Sequence, residues 1–406
     1  MALIVQKYGG TSVANPERIR TVARHIVDCH DKGNQVVAVV SARAKQTDEL
    51  IAMAKEICPE PSPRELDMLL SIGEQMSSAL MAMAIHALGR EAVSLTGVQV
   101  GIKTDNIYSK AKIQDIDNSR ILGHLSRGES VIVAGFQGVD SANNITTLGR
   151  GGSDTTAIAI AAAIKADICD IYTDVDGVYT ADPRIVPDAR MLKTISYDEL
   201  LEMASLGAKV MHSRAVEIAK RFDVPFRVRS SFTWAEGTLV CKEVPEMEKI
   251  TVRGAAVDKN EAKVTMRGVS DKPGVAARIF GEIAAQNLNV DMIIQNISAN
   301  GRTDVSFTVT KTDLAKALRI AEKLRGEIGA AEVLSDDKVA KVSVVGIGMR
   351  SHTGVAERMF RALAEAEVNI QMISTSEIKI SCVINDDKAD AALRAVHKAF
   401  DLDKIE

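Results

Sequence analysis

The chain has 406 residues, 46% of them hydrophobic and 26% charged, and its formal net charge is −4 because 50 basic residues nearly balance 54 acidic ones. With no basic field and only 3% aromatic residues, it lacks the charge and the base-stacking side chains typical of nucleic-acid-binding proteins. Domains average about 150 residues, so the length predicts two or three of them.

The sequence carries no targeting or membrane pattern. Its N-terminus lacks the basic and apolar regions of a signal peptide, and no run reaches the roughly 18 apolar residues of a membrane span. Five scattered cysteines without a CxxC pair are Cys29, Cys58, Cys169, Cys241 and Cys382. Such cysteines indicate reduced thiols, so we expect a cytoplasmic protein with no membrane partner. The histidines form no HExxH-type pair, and we predict no resident metal site.

The first part of the chain alternates strand and helix patterns. Runs typical of buried strands occupy residues 2–6, 35–40, 92–95, 130–134, 168–173 and 225–229. Helical patterns occupy residues 16–27, 64–88, 155–165, 197–205 and 213–221. This alternation predicts an α/β fold whose mainly parallel sheet is sandwiched by helices. Ligands of such sheets bind at the carboxyl ends of the strands.

Beyond a polar boundary near residue 245, the sequence repeats itself. The repeated segments are KVTMRGV and KVSVVGI, PGVAARIF and TGVAERMF, and NVDMI and NIQMI, which begin at residues 263 and 341, 273 and 353, and 289 and 369. Each copy has the element order of a ferredoxin-like βαββαβ unit. We therefore predict three domains, at residues 1–245, 263–338 and 339–406.

The first candidate site is the segment 7–12 (KYGGTS), between a predicted strand and a predicted helix. Gly9 and Gly10 free backbone N–H groups to close around an anion, and the helix N-terminus adds its dipole. Lys7 supplies a point charge for phosphate. A plain strand–helix turn with a solvated lysine also explains this segment, which is neither a Walker loop nor GxGxxG.

The second candidate is the segment 149–156 (GRGGSDTT), which opens an alanine-rich helix. Its glycines expose backbone donors, and Arg150 can form a bidentate fork with a carboxylate. Asp154 can equally be an N-cap. Capping does not explain a glycine cluster beside an arginine, so we favour ligand binding.

The third candidate is Glu74, in the predicted helix 64–88. Gly73 costs this helix about 1 kcal/mol relative to alanine, and a carboxylate among apolar neighbours needs a cationic partner. A substrate ammonium would serve, whereas the alternative is an exposed glutamate on a polar stripe.

The fourth candidate is the segment 172–184 (YTDVDGVYTADPR), where aspartates cluster at a strand end. Such a loop can stack a base on Tyr179 and place Arg184 against the phosphates. A metal ion that bridges phosphates is usually bound to the protein through only one or two carboxylates and water. A surface turn explains any one of these residues but not the whole string.

These motifs, with SIGE at 71–74, resemble those of aspartate kinases in the amino-acid kinase superfamily, and the repeats resemble tandem ACT domains. The resemblance covers essentially the whole chain, in order. It implies that ATP and L-aspartate give ADP and 4-phospho-L-aspartate, the entry to lysine, threonine and methionine synthesis, with Mg²⁺ held mostly by ATP oxygens and water. Phosphoryl transfer to a carboxylate needs positioning and charge neutralisation rather than a protein nucleophile.

The resemblance also implies residue roles. Lys7 and Asp154 would be catalytic, with Asp154 organising Lys7 rather than acting as a base. The implied aspartate-binding residues are Ser41, Thr47, Glu74, Arg150, Gly151, Gly152 and Ser153. The implied nucleotide-binding residues are Lys7, Gly9, Gly10, Thr173, Asp174, Tyr179, Asp182, Arg184 and Lys209.

The ACT resemblance implies feedback by lysine, threonine or both, bound at interfaces of the repeats. The implied effector-binding residues are Asp271, Gly274, Asn289, Asp291, Gln295, Ser351, Thr353, Gly354, Asn369, Ile370, Thr375 and Ser376. A strand near residues 250–257 would complete the second repeat. Edge-to-edge pairing of ACT sheets implies a homo-oligomer, and Met247 would be a start for a shorter regulatory chain.

Two alternatives remain open at this point. One is another enzyme of the superfamily, acting on glutamate, acetylglutamate, carbamate or UMP; Glu74 together with Arg150 suits a free α-amino acid and argues against it. The other is a non-catalytic amino-acid sensor, against which the presence of Lys7, Asp154 and Asp182 argues.

Overall fold

The computed structural model describes residues 1–206, 211–242, 252–296, 301–350 and 352–404. Its helices are α1 (Pro16–Asp31), α2 (Gln46–Ile57), α3 (Pro63–Leu70), α4 (Ile72–His86), α5 (Ser119–Ser126), α6 (Gly152–Ile164), α7 (Tyr197–Ser205), α8 (Ser213–Phe222), α9 (Val275–Ala285), α10 (Leu314–Arg325), α11 (Val355–Glu365) and α12 (Ala389–Ala399). Its strands are β1 (Leu3–Tyr8), β2 (Gln35–Val40), β3 (Ala92–Leu95), β4 (Ile102–Thr104), β5 (Ile113–Ile116), β6 (Ser130–Ala134), β7 (Gln137–Val139), β8 (Ile145–Thr147), β9 (Ile168–Thr173), β10 (Thr194–Ser196), β11 (Phe226–Ser230), β12 (Thr238–Cys241), β13 (Gly254–Ser270), β14 (Ile293–Gln295), β15 (Arg302–Thr310), β16 (Glu332–Val345), β17 (Met372–Thr375) and β18 (Lys379–Asn385).

Eight strands form the first sheet, in the order β10-β12-β11-β9-β1-β2-β6-β3. All neighbouring pairs are parallel except β11 with β12. Alternate residues of β2 enter different cores: Val37 and Val39 pack with α5 and α6, and Val36 and Val40 with α1 and α4. Burial on both faces explains the unbroken β-branched run and confirms the predicted sheet between helices.

A second, four-stranded sheet, in the order β5-β4-β7-β8, is formed within residues 102–147 and was not predicted. Its strands are three or four residues long, too short for a clear alternating pattern. The carboxylate of the fully buried Asp67 on α3 ties this sheet down, accepting bonds from the backbone N–H and hydroxyl groups of both Ser109 and Thr147. The loop that carries Arg150 therefore starts from a fixed strand end.

The single helix predicted at 64–88 is wrong, because α3 and α4 are separate helices that meet at Ser71. The stretch Pro63–His86 is nevertheless the one helical segment, among the described ranges, that is long and apolar enough to cross a membrane. Half of it is buried inside the fold, and core helices pass the same test of length and composition, so this is weak evidence for a membrane span.

The C-terminal repeats form one continuous six-stranded antiparallel sheet, in the order β14-β15-β13-β16-β18-β17. The 17-residue β13 and the 14-residue β16 run through both repeats. Gly254–Asp258 of β13 pairs with the end of β16, at Lys341–Val345, whereas Lys263–Arg267 pairs with its start, at Glu332–Asp336. The first of these pairings involves part of the segment 250–257 that was expected to complete the second repeat. Both long strands extend across the predicted domain boundaries.

The two repeats exchange lysine contacts across the long strands. Lys341, only 2% exposed, reaches Asp291 of the first repeat and lies 2.7 Å from Oε1 of the buried Glu261. Its sequence counterpart, Lys263, reaches Gln371, the counterpart of Asp291. The contact of Lys341 with Asp291 is therefore an ion pair, whereas that of Lys263 is with the neutral amide of Gln371. The carboxylates of Glu261 and Asp291 raise the pKa of Lys341 although burial opposes this.

Candidate active site

The candidate site lies where neighbouring strands of the parallel sheet end. Tyr8 of β1 is paired with Val40 of β2 and with Tyr172 of β9, so the three strands finish at one edge. The N–H of Gly9 donates to the Tyr172 carbonyl at 3.2 Å. The loops of two of the predicted motifs, at residues 7–12 and 172–184, and the loop after β2 therefore leave the sheet side by side, as expected for ligand sites in this fold.

Lys7 and Asp154 form the central ion pair of this edge. Lys7 Nζ lies 2.6 Å from Asp154 Oδ1, and both side chains are largely buried. Asp154 stands in the first turn of α6, whose N-cap, Gly151, has a left-handed backbone (φ 68°) and supplies no side-chain cap. The structure thus places a fixed positive charge beside an uncapped helix N-terminus, an arrangement suited to binding anions.

The loop after β2 packs closely against the first glycine turn and against α4. A Cβ on Gly10 would lie 2.8 Å from the Ala42 carbonyl, and one on Gly73 would lie 2.7 Å from the Ala42 Cβ. Neither position accommodates a side chain without movement of the loop. Gly73 therefore lies in the first turn of α4 and not in the middle of a longer helix, and its close packing against Ala42 explains why this position is a glycine.

Glu74 is buried rather than on a polar stripe. One oxygen accepts from the Ala42 N–H at 3.0 Å, and the other is buried with no hydrogen-bond partner among the described residues. Burial raises its pKa to about 7, although the Ala42 N–H opposes the shift. A buried carboxylate with a free oxygen is the expected arrangement of a residue that awaits a cation.

The other residues predicted to bind aspartate surround this edge at different depths. Ser41 directly follows β2, and Thr47 is in the first turn of α2. Ser153 is buried at the start of α6, and Arg150 is exposed in the preceding loop. Within the described part of the chain Arg150 makes no hydrogen bond or ion pair, so its fork remains a prediction and the structure does not bring it into contact with Glu74.

Five of the predicted nucleotide-binding residues line one cavity of about 500 Å³. They are Thr173, Asp174, Tyr179, Asp182 and Arg184. Lys209, predicted with them, lies outside the described residues. Thr173 ends β9, which pairs with β1. Lys7, Gly9 and Gly10, also predicted to bind the nucleotide, are not among the described residues that line this cavity.

The rim of the cavity holds a bidentate ion pair. Arg184 donates from Nε to Oδ1 of Asp182 at 3.0 Å and from a terminal nitrogen to Oδ2 at 2.7 Å. These hydrogen bonds from Arg184 lower the pKa of Asp182 and keep it ionised. Arg184 is 87% exposed, so its guanidinium remains reachable by a second anion.

Sequence reasoning missed the loop after β11. The Ser231 hydroxyl lies 2.8 Å from that of Ser12, and its carbonyl accepts from Arg18 on α1. Thr233 donates to Asp176 of the cavity loop. Ser230 and Ser231 at the end of a buried strand were the available signal, although the partners of Ser231 lie more than 200 residues away.

The residues predicted to bind the effector do not form one cluster in the described part of the chain. Asp271, Gly274 and Gln295 line a second cavity, of about 350 Å³, in the first repeat. Asp291 instead pairs with Lys341, and Asn289 does not line that cavity. In the second repeat the exposed residues are Thr353, Gly354, Asn369, Thr375 and Ser376, whereas Ile370 is half-buried. Ser351 and Met247 lie outside the described residues.

Comparison with known proteins identifies the class that this fold and site define. The amino acid kinase family profile matches residues 2–230. The ACT domain profile matches residues 264–324 and 342–400, once in each repeat. The protein is thus an amino acid kinase with tandem ACT domains.

Similar proteins narrow the class. An aspartokinase of Pseudomonas aeruginosa is 54% identical, with 99% of this chain and 98% of that protein covered. One of Mycolicibacterium smegmatis is 52% identical over 99% and 97%. E. coli aspartokinase III in complex with aspartate and ADP is similar in structure, with a TM-score of 0.81, 27% identity and coverage of 98% and 99%. Its complex with lysine and aspartate gives a TM-score of 0.77 at 27% identity, with the same coverage. The chain therefore belongs to the aspartokinase family and is an ATP-dependent kinase that acts on aspartate.

Proposed function

We propose that the chain transfers the γ-phosphoryl group of ATP to the side-chain carboxylate of L-aspartate, giving 4-phospho-L-aspartate and ADP. The observation that carries this proposal is the Lys7–Asp154 pair, which holds a cation at the strand edge beside the uncapped N-terminus of α6. The product would enter lysine, threonine and methionine synthesis.

In this proposal the protein supplies position and charge, because the aspartate oxygen is already a nucleophile. Lys7 and the N–H group of Gly10 stabilise the charge of the transferring phosphoryl group. The Gly9 N–H, also predicted for this role, is instead bonded to the Tyr172 carbonyl. Asp154 holds Lys7 in place. Glu74 receives the substrate ammonium and Arg150 its α-carboxylate, which leaves the side-chain carboxylate to face the γ-phosphorus.

The nucleotide occupies the 500 Å³ cavity, with its phosphates toward Lys7. Mg²⁺ would supply charge neutralisation between the phosphates. The described residues contain no cluster of three or more potential metal ligands, but the exposed Asp174, beside the Thr173 hydroxyl at the strand end, fits an ion that keeps most of its coordination to phosphate and water.

The ACT repeats would make the enzyme sensitive to lysine, threonine or both. The cavity that includes Asp271, Gly274 and Gln295 is a candidate effector site, and the lysine complex of E. coli aspartokinase III supports an amino acid as the effector. Lysine or threonine bound in this repeat would shift the population of active enzyme.

A homo-oligomer is part of the proposal. The outermost strands of the six-stranded sheet, β14 and β17, expose Ile293 and Ile373, at 52% and 42%. Apolar edge strands invite pairing with a second sheet. A shorter regulatory chain that starts at Met247 would contain both edges. We further propose a cytoplasmic location, in keeping with five free cysteines.

The reaction is tested by measuring ADP release with each acceptor in the presence of ATP and Mg²⁺. The panel contains L-aspartate, L-glutamate, N-acetyl-L-glutamate, carbamate and UMP, and hydroxylamine traps the acyl phosphate of aspartate as a hydroxamate. We expect ADP release with L-aspartate alone, accompanied by hydroxamate. ADP release with another acceptor and none with L-aspartate would reject the proposed substrate; nucleotide binding without turnover on any acceptor would identify a sensor.

A further inference from the structure

The cavity assigned to the nucleotide is not built by the kinase domain alone. Its wall includes Ala255, Ala256 and Val257 from the start of β13, and Leu393 from α12. Both elements belong to the sheet and helix layer of the second ACT repeat. A ligand in this cavity therefore touches the regulatory part of the chain directly.

The loop that carries Tyr179, Asp182 and Arg184 packs in the core of the second ACT repeat. Ala181, Val186 and Ala189 are buried together with Val344 and Leu393. Burial of these apolar side chains ties the position of the loop to that of the repeat.

Thr180 is the polar centre of this packing. Its carbonyl accepts from the Ala255 N–H at 2.8 Å, and its hydroxyl accepts from the Arg190 N–H at 3.0 Å. The same hydroxyl lies 2.9 Å from Nε2 of His397 on α12, with both residues at least 98% buried. Arg190 also donates to the Asp403 carbonyl near the end of the described chain.

We propose that the second ACT repeat forms one wall of the nucleotide site, and that His397 is a positioning residue for the kinase reaction. Acting through Thr180, His397 fixes the loop that presents Tyr179 and Asp182 to the nucleotide. The inference rests on the proposed function, since it takes this cavity as the nucleotide site. Through this wall, a change in the position of the second ACT repeat would directly alter the affinity of the site for ATP.

The test compares variants of the buried hydrogen bond. His397→Leu and Thr180→Val remove it with little change of volume, whereas His397→Gln keeps an amide that can reach the hydroxyl. We expect the first two to raise the KM for ATP about fivefold to tenfold, the effect of one buried hydrogen bond, and to leave the KM for aspartate within about twofold. His397→Gln should restore most of the ATP affinity, and the double variant should be no weaker than either single one.

Leu363→Ala is the matched control, because Leu363 is fully buried in the same core but does not line the cavity. It should lower the melting temperature without a specific effect on ATP. If His397→Leu instead changes both KM values equally, or changes neither, the positioning role is rejected.

Val257→Phe tests the wall without the buried hydrogen bond. It places a ring in the cavity from a half-buried position and should weaken binding of a fluorescent ADP analogue at least tenfold. Unchanged binding of the analogue would overturn the inference but would not contradict the proposed phosphorylation of aspartate. Loss of the proposed function would appear differently, as a wild-type chain that binds the analogue but forms no acyl phosphate from aspartate.

Discussion

Lys7 Nζ and Asp154 Oδ1 lie 2.6 Å apart, joining the end of β1 to the first turn of α6. The pair orients the ammonium, and α6 brings its uncapped N-terminus to the same place. A side chain held in this way does not have to reorganise when charge develops on a phosphoryl group. The catalytic proposal depends on this relationship.

Replacing Lys7 by Met should lower kcat by about 10²–10³-fold, the usual cost of one lost group that stabilises transition-state charge. Asp154→Asn should lower kcat by a smaller factor, because the ammonium remains but is less well held. Steady-state rates with saturating ATP and aspartate give both values, and circular dichroism checks the fold. Near-normal turnover in Lys7→Met would refute its role.

Arg150→Ala should raise the KM for aspartate by about tenfold or more while the KM for ATP stays nearly constant, because a bidentate charge-assisted contact is lost. Arg120→Ala, at another exposed position in the same domain, is the control and should change neither constant. An unchanged aspartate affinity in Arg150→Ala would count against the carboxylate fork.

If Glu74 binds the substrate ammonium as proposed, its pKa of about 7 should make aspartate binding depend on pH. Only the ionised carboxylate attracts an ammonium, so the KM for aspartate should fall between pH 6 and pH 8. Glu74→Gln should raise that KM and flatten its pH profile. A wild-type profile that is flat across this range would contradict the assignment.

The same raised pKa affects stability in the absence of aspartate. A carboxyl group whose folded pKa exceeds its unfolded value stabilises the fold at low pH and loses this contribution as pH rises through the folded value. The shift from 4.5 to about 7 corresponds to about 3 kcal/mol. Glu74→Gln should therefore raise the melting temperature at pH 8 and change it little at pH 5.

Lys341→Met should destabilise the ACT sheet strongly, by about 3–5 kcal/mol, because it leaves the buried carboxylate of Glu261 without its cation. Lys263→Met is the matched control at the equivalent position of the other repeat. Its partner, Gln371, is neutral, so its loss should cost much less. If urea unfolding gives the same decrease in the free energy of unfolding for both variants, the ion pair contributes no more to stability than the contact with Gln371.

Millimolar lysine or threonine should lower the initial rate. Asp271→Asn, at the second cavity, should weaken that inhibition and leave kcat unchanged. Asp337→Asn, exposed on β16 outside the cavity, should remain fully inhibited. Full wild-type activity in the presence of both amino acids would reject feedback through the repeats.

Sequence patterns located most of the kinase sheet because its central strands are buried on both faces. The predicted bounds of β2, β3, β6 and β9 coincide with those of the structure. The short strands of the four-stranded sheet and the break at Ser71 carry no such pattern. Their positions are set by tertiary contacts, above all the five hydrogen bonds accepted by Asp67.

Five residues that the motifs predict to bind the nucleotide lie around one cavity in the structure. The motifs did not reveal the wall from the second ACT repeat, because the contact between Thr180 and His397 spans 217 residues and joins an ordinary threonine to an ordinary histidine. The sequence left open whether Glu74 is buried or exposed, because its burial depends on the loop at Ala42.

The most direct test is a crystal structure of the chain with L-aspartate and a non-hydrolysable ATP analogue. We expect the base in the cavity beside Tyr179, Lys7 against the terminal phosphate, and one side-chain carboxylate oxygen of aspartate about 3–3.5 Å from the terminal phosphorus. A nucleotide bound away from the glycine turns, or an aspartate whose α-carboxylate faces the phosphate, would contradict the account.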